Sequence, residues 1–333
     1  MNVISSDDKE SKTVNSLFTN SMNCAKGCAA RAVASLLWEN YSRYSVLKDA
    51  VKSAVFDEHL AVNMAAVECI LPMCNFDKDT AINWFSYLVT KDIRIAAHHL
   101  AHSIYYNIDE KHEEFVTKTV LNMYYSEYDD VSEIGAKYIA NLYLLYGCFE
   151  EIIFSKTQKT AAQIKGILYI SVELLKYSQH YEKAKKIIEY HLEYVDKESS
   201  FMLPKILDCD TVDVDSDPDF IIKVVSSKQS RLMMHYFIDF IEESDVSLTA
   251  FADIIFAICD NLVKHAKDEV NNPSSELYGV AEPLSKLITS LYEQSKDRTE
   301  LMEINQQCLN MWDLMFEHRI GTIRELSKSI MEQ

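Results

Sequence analysis

The chain has 333 residues, 48% of them hydrophobic, and contains only 6 glycines and 5 prolines. This composition provides material for a large core but few of the turn residues that strands need, so it favours helices. Lys and Arg total 33 against 51 Asp and Glu, a formal net charge of −18. Such a charge argues against binding to nucleic acid or to an anionic membrane surface, because both need a cationic patch.

The cysteines and the first residues bear on where the chain works. The eight cysteines form no CxxC pair: Cys24, Cys28, Cys69, Cys74, Cys148, Cys209, Cys259 and Cys308. The opening MNVISSDDKESK is acidic and polar and lacks the apolar stretch of a signal peptide, and no run approaches the ~18 apolar residues of a spanning helix. We therefore expect a cytoplasmic protein without membrane contact, with its cysteines in the core.

Helical periodicity begins after a charged, Ser-rich segment. Residues 1–20 have no period and predict a flexible lead-in. Residues 21–206 predict a first set of helices. Intervals of three and four residues place apolar or small side chains on one helix face, as in Leu60, Met64, Val67, Leu71 and Cys74, and in Phe115, Val116, Thr119, Val120 and Met123.

A recurring pattern within these helices predicts repeats. The short breaks FDEHLAV (56–62), FDKDTAI (76–82) and YDDVSEI (128–134) are typical of helix starts capped by Asp. Three pairs of small residues follow an Asp at a spacing of roughly 35 to 38 residues: Ala65-Ala66 after Asp57, Ala96-Ala97 after Asp92, and Gly135-Ala136 after Asp129-Asp130. We predict an all-α, HEAT-like solenoid of antiparallel helix pairs with essentially no β structure. The alternative is an irregular helical bundle.

The acidic segment LDCDTVDVDSDPDF (207–220) interrupts the helices. It predicts either a long loop between repeats or the seam between two halves, with a second set of helical repeats over residues 221–333. That set contains two further apolar stripes, Phe251, Ile254, Ile255, Ile258 and Leu262, and Leu301, Ile304, Cys308, Met311, Trp312 and Met315.

Within the acidic segment, Asp213, Asp215 and Asp217 have the D-x-D-x-D spacing that opens a calcium loop. Position six of such a loop should be Gly and position twelve Glu, but the chain has Pro218 and Val224 there. We therefore predict a solvated loop that ends in a helix with Pro218 at its first position, and only a weak divalent-cation site.

Histidines and cysteines supply two more clusters. His98 and His102 lie four apart on a predicted helix over 95–106, so they share a face as two zinc ligands would, but the Glu of an HExxH site is absent. Cys24 and Cys28 are predicted on one face of another helix. We predict polar core or surface roles for the histidines, with metal binding as the alternative, and core packing for the cysteines.

Motifs of nucleotide binding and of serine hydrolases are missing. The sequence contains no GxxxxGK[ST], GxGxxG or GxSxG. We therefore predict no catalytic residue and no cofactor.

Three stretches carry a family resemblance: NCAKGCAARAVASLLW (23–38), DIRIAAHHLAHSIYYNI (92–108) and residues 274–331. They resemble the helical C-terminal regions of large bacterial NACHT/STAND-type NTPase proteins implicated in antiphage defence. The pattern cLdxWDxxfExxxGxxRel is matched by Cys308, Leu309, Trp312, Asp313, Phe316, Glu317, Gly321, Arg324, Glu325 and Leu326. In the predicted terminal helix, Trp312 and Phe316 belong to the apolar face.

The resemblance implies a sensor or scaffold beside an ATPase module, which this chain does not carry. It leaves open a separate subunit, a fragment or a stand-alone relative.

These observations lead to one functional hypothesis and two alternatives. The first is a non-enzymatic protein-binding scaffold or sensor in a bacterial antiviral defence system, with an NTPase or effector subunit or a viral protein as partner. The second is a metal-dependent enzyme with its site at the histidine helix or the acidic loop. The third is a nucleic-acid-binding HEAT-like protein, against which the net charge of −18 argues.

Overall fold

The computed structural model describes residues 12–108, 112–207 and 217–320. Eighteen α-helices lie in these ranges, joined by short turns and 3₁₀ segments, and the ranges contain no β-strand. The predicted all-α class is therefore confirmed. The chain forms two compact units, Met1–Leu142 and Tyr143–Gln333, and within each unit several pairs of consecutive helices pack on one another. None of the described helices is long and apolar enough to cross a membrane.

The first unit is built around one buried helix. Its helices are α1 (Val14–Asn23), α2 (Ala25–Glu39), α3 (Tyr44–Val55), α4 (Leu60–Met73), α5 (Lys78–Lys91), α6 (Ala101–Tyr106), α7 (Glu113–Tyr124) and α8 (Asp129–Tyr146), the last of which contains the boundary between the units. Helix α4 packs against α1, α2, α3 and α5, and eleven of its fourteen residues are buried. A helix that is apolar on all sides is stable only when neighbours surround it, so α4 is the core of this unit.

Two glycines allow close helix contacts in the first unit. A Cβ at Gly27 of α2 would overlap the carbonyl oxygen of Ser21 in α1, and a Cβ at Gly135 of α8 would overlap the backbone of Met123 and Tyr124 in α7. Gly135 belongs to one of the three predicted pairs of small residues. Because it has no side chain, the backbone of α7 can pack directly against α8 there.

The second unit contains ten short and medium helices after the end of α8. They are α9 (Glu150–Ile153), α10 (Ala161–Leu175), α11 (Ser178–His191), α12 (Lys197–Ser200), α13 (Pro218–Val225), α14 (Met234–Glu243), α15 (Ala252–His265), α16 (Lys267–Val270), α17 (Ala281–Ser295) and α18 (Met302–Glu317). Helices α10 and α11 form one packed pair and α17 and α18 another, while α15 contacts α13, α17 and α18. Nine of the fourteen residues of α15 are buried, which makes it a central helix of this unit.

Several predicted boundaries need correction. The predicted lead-in over 1–20 is too long, because Thr13 caps a helix that begins at Val14. The predicted seam at 207–220 lies inside the second unit, and residues 208–216 are outside the described residues. Ala96-Ala97 lies in the 3₁₀ segment Ile93–Ala97 and not on an α-helix. The N-cap of α4 is His59, two residues after the predicted Asp57.

The end of the chain also differs from the prediction. Cys308 and Met315 are buried on α18, as the apolar stripe predicted, and Trp312 lies against Tyr292 with ring centroids 5.1 Å apart. Phe316, however, is exposed, so its predicted place on the apolar face is wrong. The matched residues from Gly321 onward are outside the described residues.

Candidate functional site

The histidine cluster does not lie on one helix. The segment consists of the 3₁₀ stretch Ile93–Ala97, a turn at residues 98–100 and the short helix α6. His98 occupies the turn and is 3% exposed, whereas His102 lies on α6 and is exposed. The predicted helix over 95–106 and the shared face of the two histidines are therefore wrong. The N-cap of the 3₁₀ segment is Asp92, whose carboxylate accepts a hydrogen bond from the backbone N–H of Arg94.

The ring nitrogens of both histidines make local contacts. His98 Nδ1 accepts a hydrogen bond from the Leu100 N–H at 3.0 Å, so Nδ1 carries no proton in this arrangement. His102 Nδ1 lies 2.7 Å from the His99 carbonyl oxygen, and its Nε2 lies 3.1 Å from Ser103 Oγ. His98 Nε2 is buried and has no hydrogen-bond partner within the described part of the chain. This geometry does not orient His98 and His102 toward a common metal ion.

The His98 ring contacts Phe18, and Phe18 in turn contacts Arg31 of α2, whose guanidinium binds residues of α1 and α4. Phe18 lies 5.5 Å from the ring of His98 between centroids, and the Arg31 guanidinium lies 5.3 Å from the Phe18 ring. Arg31 donates from Nε to Glu68 at 2.7 Å, and its Nη1 and Nη2 bind the backbone and hydroxyl oxygens of Ser21. Every one of these contacts holds helices together, so the surroundings of His98 are structural.

Burial of His98 leads to a prediction about acid stability. Burial, then His99 and Arg31, lower the pKa of His98 to about 3 from its usual 6.5. The unfolded chain takes up this proton as the pH falls below 6.5 and the folded chain does not, so the free energy of unfolding should fall by roughly 1.4 kcal/mol per pH unit toward pH 4 from this residue alone. His98→Asn keeps an acceptor for the Leu100 N–H but does not titrate. Urea unfolding at pH 7 and pH 5 should show a smaller acid loss in this variant.

The matched control for His98→Asn is His102→Asn, which removes an exposed ring from the same segment. His98→Asn should lose less stability in acid than His102→Asn does. Equal pH dependence in the parent chain and in His98→Asn would contradict a buried neutral His98.

The acidic segment contributes one described residue, Asp217, and this residue caps a helix. Asp217 Oδ1 accepts from the Phe220 N–H at 3.3 Å, while its Oδ2 binds Tyr181 Oη at 2.8 Å and Lys185 Nζ at 2.5 Å. Partial burial raises the pKa of Asp217, but the hydrogen bonds from Lys185 and Tyr181 outweigh it and lower that pKa overall. The predicted helix start with Pro218 at its first position is confirmed. Asp213 and Asp215 lie outside the described residues.

A metal centre is not formed by the residues that the structure describes. Across 12–108, 112–207 and 217–320, no group of three His, Cys, Asp or Glu side chains could hold a metal ion. The two N-terminal cysteines do not form a pair either. Cys24 is the buried N-cap of α2, where its Sγ accepts from the Gly27 N–H at 3.2 Å, and Cys28 is exposed. Their predicted common helix face is therefore wrong.

An exposed group of aromatic side chains on the first unit was not anticipated. Phe56 follows α3, and its ring centroid lies 4.7 Å from that of Tyr87 and 6.2 Å from that of Trp84, both on α5. Phe56 is 45% exposed and Tyr87 is 42% exposed. We call Phe56, Trp84 and Tyr87 the aromatic surface. The sequence signal was the spacing of three between Trp84 and Tyr87, which places them on one side of α5.

An open cleft of about 620 Å³ adjoins the aromatic surface through Phe56. Its other lining residues are charged or polar: Lys26, Asp49, Lys52, Ser53, Asp57 and Glu58. Asp57 is held by Lys26 Nζ at 2.7 Å and by the N–H and Nδ1 of His59 at 2.9 Å, whereas the Glu58 side chain points into solvent. The first unit thus presents apolar rings beside charged side chains.

Comparison of the chain with protein-family models, with curated proteins and with solved structures gives no match.

Proposed function

We propose that the chain is a non-enzymatic protein-binding scaffold that contacts its partner through the aromatic surface. The supporting observation is the half-exposure of Phe56 and Tyr87 in mutual contact beside a cleft. Aromatic side chains are enriched in the centres of protein interfaces, where they bury large areas with little loss of conformational freedom. A polar rim around such a centre is the usual arrangement of a specific interface.

The charge of the chain indicates the chemistry of the partner. A net charge of −18 repels other acidic proteins and attracts basic ones over several ångströms. The carboxylate of Glu58 beside Phe56 is exposed and can meet a cationic group. The partner that fits is therefore a protein whose contact surface is apolar at its centre and positively charged around it.

A role in bacterial antiviral defence is a further part of this proposal. It is supported by the resemblance of residues 23–38, 92–108 and 274–331 to regions that sense or scaffold beside an ATPase module. The partner would then be an NTPase or effector subunit or a viral protein, met in the cytoplasm. The helical pairs of both units are compatible with such a role.

A pair of double variants tests the binding role. The tagged chain, expressed in bacteria with and without phage infection, should retain a partner that Phe56→Ala/Tyr87→Ala retains at least ten-fold less, because loss of one buried aromatic anchor weakens a complex by about 2 kcal/mol. The control is Tyr106→Ala/Tyr125→Ala, which removes two exposed tyrosines of the same unit. Equal retention by the two double variants would contradict the assignment of the aromatic surface.

Neither alternative function gains support from the described residues. A metal-dependent enzyme at His98 and His102 needs ligands that converge, and these two rings bind their own turn. Metal analysis of the purified protein separates this alternative from the scaffold, which needs no stoichiometric metal. Nucleic-acid binding would appear as retention on DNA that weakens steeply with salt.

A further inference from the structure

Asn63 in the first unit binds the ammonium group of a lysine side chain. Asn63 is fully buried on α4, and its Nδ2 donates to the carbonyl oxygens of Val55 at 3.0 Å and of Ala54 and Asp57 at 3.1 Å. Val55 is the last residue of α3. The Asn63 Oδ1 accepts from Lys91 Nζ at 2.6 Å, and the same Nζ donates to the Asp57 carbonyl oxygen. The carboxamide thus stabilises the end of one helix and binds a lysine from another.

Asn261 in the second unit repeats the first half of this arrangement. It lies on α15, is 3% exposed, and donates from Nδ2 to the carbonyl oxygens of Val225 at 2.6 Å and Ser227 at 2.7 Å. Val225 is the last residue of α13. Both carboxamides therefore bind the last residue of a helix and the residue two positions later. Because Nδ2 must face these two carbonyls, the position of Oδ1 is fixed as well.

The second half of the arrangement is missing at Asn261. Its Oδ1 is buried and has no hydrogen-bond partner in the described ranges, whereas the Oδ1 of Asn63 accepts from an ammonium group. Buried acceptors are almost always hydrogen-bonded in folded proteins, so an acceptor without a protein donor is a place where a water molecule or a ligand group binds. Asn261 also lines a cavity of about 610 Å³, which can admit such a group.

The charges around this cavity favour a cation. Asp253, Asp260 and Lys264 recur at intervals of seven and four residues along α15, on the side that faces the cavity, and Ile222 of α13 and Leu314 of α18 supply apolar walls. Partial burial raises the pKa of Asp260. The Ser227 carbonyl already accepts from the Ser230 N–H. Asp260, the sequence neighbour of Asn261, carries the nearer carboxylate, whereas Asp253 lies eight residues away on α15, about 12 Å along the helix axis.

We propose that this cavity binds a primary ammonium group, which donates to Asn261 Oδ1 as Lys91 does to Asn63 and whose charge is balanced chiefly by Asp260, with Asp253 adding negative potential from two helical turns away. The apolar walls suit the methylene chain that carries the ammonium group in an aliphatic diamine or in a lysine side chain. The site lies in the second unit and does not depend on the partner proposed for the aromatic surface.

Calorimetric titration tests the site with two probes, 1,5-diaminopentane and the peptide acetyl-Gly-Lys-Gly-amide, each at up to about 10 mM to reach millimolar affinities. Binding of at least one probe is expected. Asp253→Asn/Asp260→Asn should bind it at least ten-fold more weakly, and the exposed control Asp239→Asn should bind like the parent chain. Binding of the diamine alone supports a small amine as ligand, and binding of the peptide alone supports a protein lysine.

Three results would overturn the proposal. The first is no binding of either probe, and the second is equal binding by the parent chain and Asp253→Asn/Asp260→Asn. The third is binding of a probe by Lys264→Met but not by the parent chain, because the ammonium group of Lys264 would then occupy the site in the parent chain. The peptide with norleucine in place of lysine should not bind, since it lacks the ammonium group. Capture of a protein partner through the aromatic surface should be unchanged in Asp253→Asn/Asp260→Asn, so the two proposals can fail separately.

Discussion

Replacement of Asp92 by alanine should lower the free energy of unfolding by about 3–5 kcal/mol, the range observed when one partner of a buried ion pair is removed. The Asp92 and Arg94 side chains are 13% and 4% exposed. Arg94 donates from Nε to Asp92 Oδ1 at 2.9 Å and from Nη2 to Oδ2 at 2.7 Å. The hydrogen bond to Asp92 raises the pKa of Arg94, which therefore stays charged. Without Asp92 the buried guanidinium loses the carboxylate that accepts two of its hydrogen bonds, and the charge of Asp130 and the contact with Tyr128, 5.0 Å from the ring centroid, compensate only in part.

Urea unfolding followed by circular dichroism at 222 nm measures this effect. The matched control is Glu39→Ala, which breaks the exposed pair between Glu39 and Arg43 on the same unit and should cost less than about 1 kcal/mol. Asp92→Asn keeps an oxygen that can accept from the Arg94 N–H and should fall between the two. If Asp92→Ala lowers the free energy of unfolding no more than Glu39→Ala does, the ion pair between Asp92 and Arg94 does not stabilise the fold.

Replacement of Gly27 by alanine has the second largest expected effect. The added methyl group would overlap the Ser21 carbonyl oxygen, which also accepts from Arg31 Nη1 at 2.9 Å. Overpacking of this kind costs about 1–3 kcal/mol, and it occurs against backbone that cannot rotate away. The better helix propensity of alanine offsets up to about 1 kcal/mol. We expect a net loss of about 2 kcal/mol in urea unfolding.

Ala29→Ser is the control for Gly27→Ala, because it adds one heavy atom to an exposed position of the same helix. Its cost should stay within about 0.5 kcal/mol. A Gly27→Ala protein as stable as Ala29→Ser would show that α1 and α2 can separate slightly without loss.

Much of the fold was predictable because most helices bury one regular face. Pro218 marked the start of α13, and the apolar residues from Leu60 to Cys74 predicted the bounds of α4 almost to the residue, although α4 is buried on nearly all sides and not on one face. The turn at His98 was not predictable, since helical periodicity does not reveal the hydrogen bond from the Leu100 N–H to His98 Nδ1 that closes it. The boundary between the units was missed for a related reason, as it falls inside the regular helix α8.

The candidate sites were harder to predict because they depend on distant partners. Asn63 lies eight residues from Val55, whereas Asn261 lies 36 residues from Val225, so no fixed spacing connects the two carboxamides. Phe56 follows α3 and Tyr87 lies on α5, so no local sequence pattern connects the two rings. The role of Asp217 was easier to predict, because it caps a helix by accepting from the N–H of Phe220, which lies only three residues later in the chain.

The most direct test of the proposed function is photo-crosslinking in cells with p-benzoylphenylalanine at position 87, compared with the same residue at position 106. Both positions hold an exposed tyrosine of the first unit, and only Tyr87 belongs to the aromatic surface. A scaffold that uses this surface predicts a defined crosslinked protein at position 87 and none at position 106. The same crosslinked protein at both positions, or none at position 87, would contradict it.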